Sequence, residues 1–103
     1  MNMKGSLPLL VLHILSLGPK HGYQIAKEIR QRSDNMLEFA EGTLYPTLHS
    51  MEKQGLLASY EEDKAGRTRR YYQLTSSGRG ALAQERQEWQ VFTQAVNMIL
   101  GDA

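Results

Sequence analysis

Residues 41–57 read EGTLYPTLHSMEKQGLL, and the rest of the chain is best read outward from them. Gly42 and Thr43 form a polar lead-in suited to the unpaired N–H groups of a first helical turn. Pro46 is expected within that turn, where a missing N–H breaks no intrahelical bond. Leu44, Leu48 and Met51 then fall on one face of a helical period. Gly55 stands where a left-handed C-terminal cap is wanted, and Lys53 suits the negative end of the helix dipole. The stretch therefore predicts a helix over 43–54 with one buried stripe. Its other face carries Tyr45, Thr47, His49, Ser50 and Lys53, side chains that hydrogen-bond to whatever they meet.

Upstream, LPLLVLHILSL at 7–17 is apolar nearly all round. It predicts a helix opening at Gly5 or Ser6, with Pro8 in the first turn and Gly18-Pro19 ending it. Such a helix needs cover on more than one side, part of it from a second subunit. The run is too short to cross a bilayer, and no small-residue cleavage pattern follows it, so a cytoplasmic protein without membrane attachment is expected. His21-Gly22-Tyr23 opens a second helix to about Arg32, with Ile25, Ala26 and Ile29 buried. A turn at 33–35 follows, with Met36, Leu37 and Phe39 expected against the core.

Downstream, 56–62 and 69–74 are rich in β-forming residues, and Asp63-Lys64-Ala65-Gly66 supplies turn chemistry between them. The expectation is a β-hairpin with a longer loop, leaning on the helices. Thr75 or Ser76 caps the last helix. There Leu82, Trp89 and Val96 recur every seven residues, with Phe92 and Ile99 in an offset row and Glu85 breaking the seam. This helix is longer than the preceding small core requires, which points to a partner subunit.

Composition removes other classes. A chain of 103 residues is one domain with a modest core, and its 41% hydrophobic and 22% charged residues are ordinary for a globular protein. There is no cysteine, and His13, His21 and His49 sit on separate elements without carboxylates at ligand spacing. No metal, no cofactor and no enzyme activity are expected. A net charge of +1 is uninformative, but Lys64, Arg67, Arg69 and Arg70 make a local basic tip just after Glu61, Glu62 and Asp63.

The element order helix, helix, helix, hairpin, helix is mainly α with a small β-hairpin. It describes a winged helix-turn-helix over 1–75 and a long C-terminal dimerisation helix over 76–103. With these elements placed, the chain resembles PadR-family transcriptional regulators of the short type with a single C-terminal helix. The similarity is carried by HGYQI at 21–25, GTLYPTLHSMEKQGLL at 42–57 and RTRRYYQLTSSGRGAL at 67–82. Met51 stands where leucine is usual in the family, and Gln73 where arginine is common. The resemblance implies a homodimer on a pseudo-palindromic operator, usually a repressor, often answering to a phenolic or drug-like effector.

In such motifs the start of the second helix reaches base edges in double-stranded DNA. Here that start offers Thr43, Tyr45, Pro46 and Thr47, with His49 and Ser50 a turn later. None forms a bidentate base pair, so DNA shape is expected to contribute much of the readout. Thr43 is equally readable as a cap, and Tyr45 as packing on the hairpin. Lys64, Arg67, Arg69 and Arg70 are candidates for phosphate or minor-groove contact, against the plainer reading of a solvated charged loop. Arg70 is the one whose strand position could turn inward. Tyr23, Lys27 and Arg30 are weaker phosphate-side candidates, Tyr23 being equally a core residue.

Trp89 is a core or interface anchor, or else stacks with its symmetry mate on a planar ligand. The resemblance to multidrug-binding members supports the stacking role, with Phe92, Val96 and His13 lining the same effector space. Two other functions fit the fold: a winged-helix protein–protein adaptor, and a ligand-sequestering dimer that does not bind DNA.

Overall fold

The computed structural model describes residues 3–101, so the ends of the two expected segments, 1–2 and 102–103, lie outside the described residues. The elements are α1 (Met3–Leu15), β1 (Lys20–His21), α2 (Gly22–Arg32), α3 (Glu41–Lys53), β2 (Leu57–Lys64), β3 (Arg67–Leu74) and α4 (Ser76–Leu100). The strands form an antiparallel sheet in the order β1-β3-β2. Leu7, Val11, Leu12, Ile14 and Leu15 of α1 occupy the centre of the core. Ile25 and Ile29 of α2, Leu44, Leu48 and Met51 of α3, and Leu57 and Tyr72 of the sheet close around them. Burying these side chains is the main force holding the three helices to the hairpin.

Caps fix where the helices start and stop. The start of α2 is closed by Gln24, whose Oε1 accepts the His21 backbone N–H at 3.3 Å, while His21 Nδ1 lies 3.3 Å from the Gln24 backbone nitrogen. The end of α3 is a Schellman arrangement, with Gly55 at φ 79° and the Leu56 N–H donating to the Met51 carbonyl. Thr75 caps α4 by accepting the Gly78 N–H at 3.0 Å.

The structure departs from the sequence expectations at several edges. α3 begins at Glu41, two residues early, because the Ala40 carbonyl accepts the N–H groups of Thr43 and Leu44 and no side chain caps the end. Pro46 therefore lies in the second turn, and the exposed Gly42 carbonyl is left to solvent. α1 likewise begins before Gly5, which puts Pro8 in its second turn. The hairpin loop is short: Ala65 and Gly66, both at positive φ, form a two-residue turn of the type I′ class, and the strands run up to it. β1 is an addition to the expected hairpin, pairing Lys20 with Tyr72 and His21 with Tyr71. Met36 and Leu17 are exposed, whereas Leu37 and Phe39 pack on the core as expected.

Candidate nucleic-acid interface

With Leu44, Leu48 and Met51 buried, the outward face of α3 is Gly42, Pro46, His49 and Lys53, all exposed, with Ser50 beside them. Thr43 and Thr47 sit half-buried on one flank, and the Thr47 hydroxyl donates to the Thr43 carbonyl at 2.9 Å. The Ser50 hydroxyl accepts from Gln54 Nε2 at 3.1 Å. Tyr45 lies on the other flank and packs on the start of α2, bordering the same groove as Tyr72 of the hairpin. A Cβ on Gly22 would come within 2.6 Å of the Tyr45 ring. The string LYPT thus divides its work: leucine enters the core, tyrosine seats α3 on α2, and proline and the residues a turn later face outward.

Alternation along the hairpin sorts the basic residues. Arg70 shares the inner face with Tyr72, and its Nη1 donates to Ser59 Oγ at 2.9 Å, which in turn donates to Glu52 of α3 at 2.6 Å. Its guanidinium is nevertheless exposed, and Arg69 is the half-buried one. Arg69 shares the outer face with Tyr71 and Lys64, and its Nη1 lies 2.6 Å from His21 Nε2. Lys64 pairs with Glu62 at 3.2 Å and lies over the Tyr71 ring, so its ammonium is partly neutralised; that hydrogen bond raises its pKa. Among the described residues Arg67, Arg69 and Arg70 have no carboxylate partner.

These pieces border one open groove of about 690 Å³. The start of α2 (His21, Gly22, Tyr23), the flank of α3 (Tyr45, His49) and the wing (Arg67, Thr68, Arg69, Arg70) line it. Sequence reading did not single out His21, Gly22 or Thr68 as site residues, although the HGY string was in view. Tyr23 is exposed and stacks on His21, with ring centroids 6.3 Å apart, so it is not a core residue. A cation-lined concavity between two helices and a wing offers sites for the phosphates of a duplex.

A second groove of about 390 Å³ runs between α1, the end of α2 and α4. Its walls include Leu9, Leu10, Ile14, Leu37 and Trp89, and His13 and Arg86 meet at its rim, 3.1 Å apart. Phe92 stands on the opposite flank of Trp89, with ring centroids 6.2 Å apart, beside Pro8, Glu85 and Glu88. Val96 is half-buried two turns beyond Trp89 on α4. Within one chain, then, Trp89 borders both spaces, His13 only the first and Phe92 only the second. Burial and the neighbouring Glu88 raise the pKa of Glu85. No group of residues able to hold a metal ion occurs among the described residues.

A three-helix core with a two-stranded wing and a cationic groove beside the second motif helix defines a winged helix-turn-helix regulator. Residues 11–84 match the model of the PadR-like family of transcriptional regulators, and the chain belongs to that family. It is therefore a DNA-binding transcriptional regulator and not an enzyme. A transcriptional regulator of Mycobacterium tuberculosis is 36% identical over 83 residues, covering 81% of this chain and 75% of that protein. The crystal structure of a PadR family regulator from Clostridium difficile superposes with a TM-score of 0.83 at 35% identity, covering 93% of this chain and 99% of that one. A transcriptional regulator from Clostridium thermocellum has a TM-score of 0.87 at 30% identity, covering 93% and 91%.

Proposed function

We propose that this chain acts in the cytoplasm as a homodimeric repressor on a pseudo-palindromic operator and is released by a small aromatic or drug-like effector. Each copy lays the outward face of α3 in a major groove. Pro46, His49 and Ser50 meet base edges, with Thr43, Tyr45 and Thr47 supporting from the flanks. Lys64, Arg67, Arg69 and Arg70 take phosphates on the wing side. Residues 1–75 serve as the DNA-binding unit and 76–103 as the dimerisation helix. The observation that carries the DNA reading is the groove itself: three arginines without carboxylate partners among the described residues face α3 across it. An adaptor that had given up DNA would have no use for that uncompensated charge.

The effector reading rests on Trp89, which is 38% exposed beside an apolar groove and next to Phe92. Two such rings brought together across a dimer axis would sandwich a planar ligand. Titrating a duplex from the chain's own promoter at increasing salt tests the DNA reading. The logarithm of affinity should fall linearly with the logarithm of salt, and replacing Arg67 by alanine should make the slope shallower by about two, one for each copy in the dimer. Absence of binding at low salt, or binding indifferent to salt, would sink it. Trp89 is the only tryptophan, so its fluorescence reports the effector space directly. Quenching by an aromatic compound with no change in DNA affinity would favour the ligand-sequestering reading instead.

A further inference from the structure

His21 lies between the recognition helix and the wing, at the start of α2. The residue is 7% exposed and is the only polar or charged one in the buried set among the described residues. Nδ1 faces the Gln24 backbone N–H at 3.3 Å, and Nε2 faces Arg69 Nη1 at 2.6 Å. Both neighbours are donors. A neutral imidazole has one lone pair to offer and one N–H, and the imidazolium has no lone pair at all. The α2 cap and the Arg69 guanidinium therefore compete for a single acceptor, and the shorter distance assigns it to Arg69.

The surroundings reinforce this. Glu62, directly across the hairpin from Arg69, is taken by Lys64 at 3.2 Å. Glu28 of α2 is taken by Lys20 and Arg32. Tyr71 meets the edge of the His21 ring at 5.4 Å from β3, and Tyr23 covers it from α2. From β2, Tyr60 stacks on Tyr71, and from α3, Tyr45 and His49 border the same groove. Among the described residues no carboxylate pairs with Arg69, and its guanidinium meets the His21 imidazole instead.

We propose that His21 is a positioning residue for DNA binding: its Nε2 lone pair holds the Arg69 guanidinium in the groove, facing the phosphate backbone, and so ties the start of α2 to the wing. The inference rests on the reading that this groove takes DNA. Acid is its natural antagonist. Protonation removes the lone pair and sets an imidazolium against a guanidinium, a change that burial and Arg69 already oppose by holding His21 below its ordinary pKa.

His21→Asn removes the contact to Arg69 without loosening the start of α2. Asparagine still caps α2 but is too short to reach Arg69. On a promoter duplex at pH 7.5 the variant should bind about three- to tenfold more weakly, as expected for loss of one positioned contact. Its salt slope should be shallower by up to about two, one for each copy in the dimer, and its melting temperature within a few degrees of the parent. Arg69→Gln should give a similar loss, and the double variant no further loss. As the pH is lowered from 7.5 to below the ordinary imidazole range, where His21 gains its proton, the ratio of parent to His21→Asn affinity should close toward one, because every other residue is common to both. Equal affinities, additive losses or a ratio constant with pH would each overturn the proposal. Should His21→Asn fold poorly, the His21 ring signals in Arg69→Gln remain decisive: they must titrate at higher pH than in the parent, and unchanged titration overturns the assignment. Failure of the parent to bind the duplex would instead remove the groove reading beneath it.

Discussion

Two glycines show how single residues set the approach of whole elements. Gly78, in the first turn of α4, is buried, and a Cβ there would lie 2.2 Å from the Leu56 carbonyl oxygen. That oxygen cannot retreat, because it also accepts the Thr75 N–H at 3.1 Å, and the neighbouring Gly55 carbonyl is held by the Thr75 hydroxyl. Gly78→Ala should therefore cost roughly 1–3 kcal/mol, as overpacking does, and lower the melting temperature by several degrees. Gly80, two residues on, has nothing within 4 Å of its would-be Cβ, so Gly80→Ala should raise stability by about 0.5–1 kcal/mol through helix propensity alone. A thermal melt of the two variants tests the pair, and equal shifts would mean that α4 docks with slack. The string LT-x-x-G at 74–78 was legible as a family mark and as a cap. That its glycine is a point of close approach was not, because nothing local to the string announces the Leu56 carbonyl eighteen or more residues earlier in the chain.

At the scale of elements, legibility followed the range of the interactions that make each one. The buried stripes of α2 and α3 repeat within a few residues, so periodicity revealed them. The helix ends were read less well: α3 starts at Glu41 because the Ala40 carbonyl accepts the Thr43 and Leu44 N–H groups, not because Thr43 offers a cap. β1 was invisible, since two residues have no period and their pairing with Tyr71 and Tyr72 spans some fifty positions. The candidate site suffered in the same way, with the wing cations legible as a cluster but the link from Arg69 to His21 not. The wing turn carries its own prediction. Ala65 adopts φ 52° at the first central position of a two-residue turn, where a left-handed alanine costs roughly 1 kcal/mol and asparagine is favoured. Ala65→Asn should raise stability by about 0.5–1 kcal/mol and slow amide exchange across β2 and β3. Unchanged melting and exchange would show that the turn is not confined to this geometry.

The molecule as a whole measures 55 Å along its long axis and 22 Å along its shortest, and α4 is a main reason. Its 25 residues extend about 37 Å, yet the seam read from the sequence is only partly covered, with Val96 half-buried. Leu82 packs on the core, whereas Phe92, Met98, Ile99 and Leu100 are exposed. A single chain has no energetic reason to line up apolar groups in water at a seven-residue period, but two chains packed seam to seam do. In the proposed dimer this pairing also sets the distance between the two copies of α3, which must be one turn of DNA, about 34–36 Å, for both to enter major grooves. Phe92→Glu tests that chain of dependence, because Phe92 contributes little to the core of its own subunit. The variant should keep its fold, sediment as a monomer and bind a single half-site like the parent. It should lose roughly 10²–10⁴ in affinity for the full two-half-site duplex, the advantage of making the second binding event intramolecular. A Phe92→Glu chain that stayed dimeric would put the interface elsewhere. One that became monomeric yet held the full operator as tightly would mean that each α3 reads alone, and that the length of α4 serves something other than spacing.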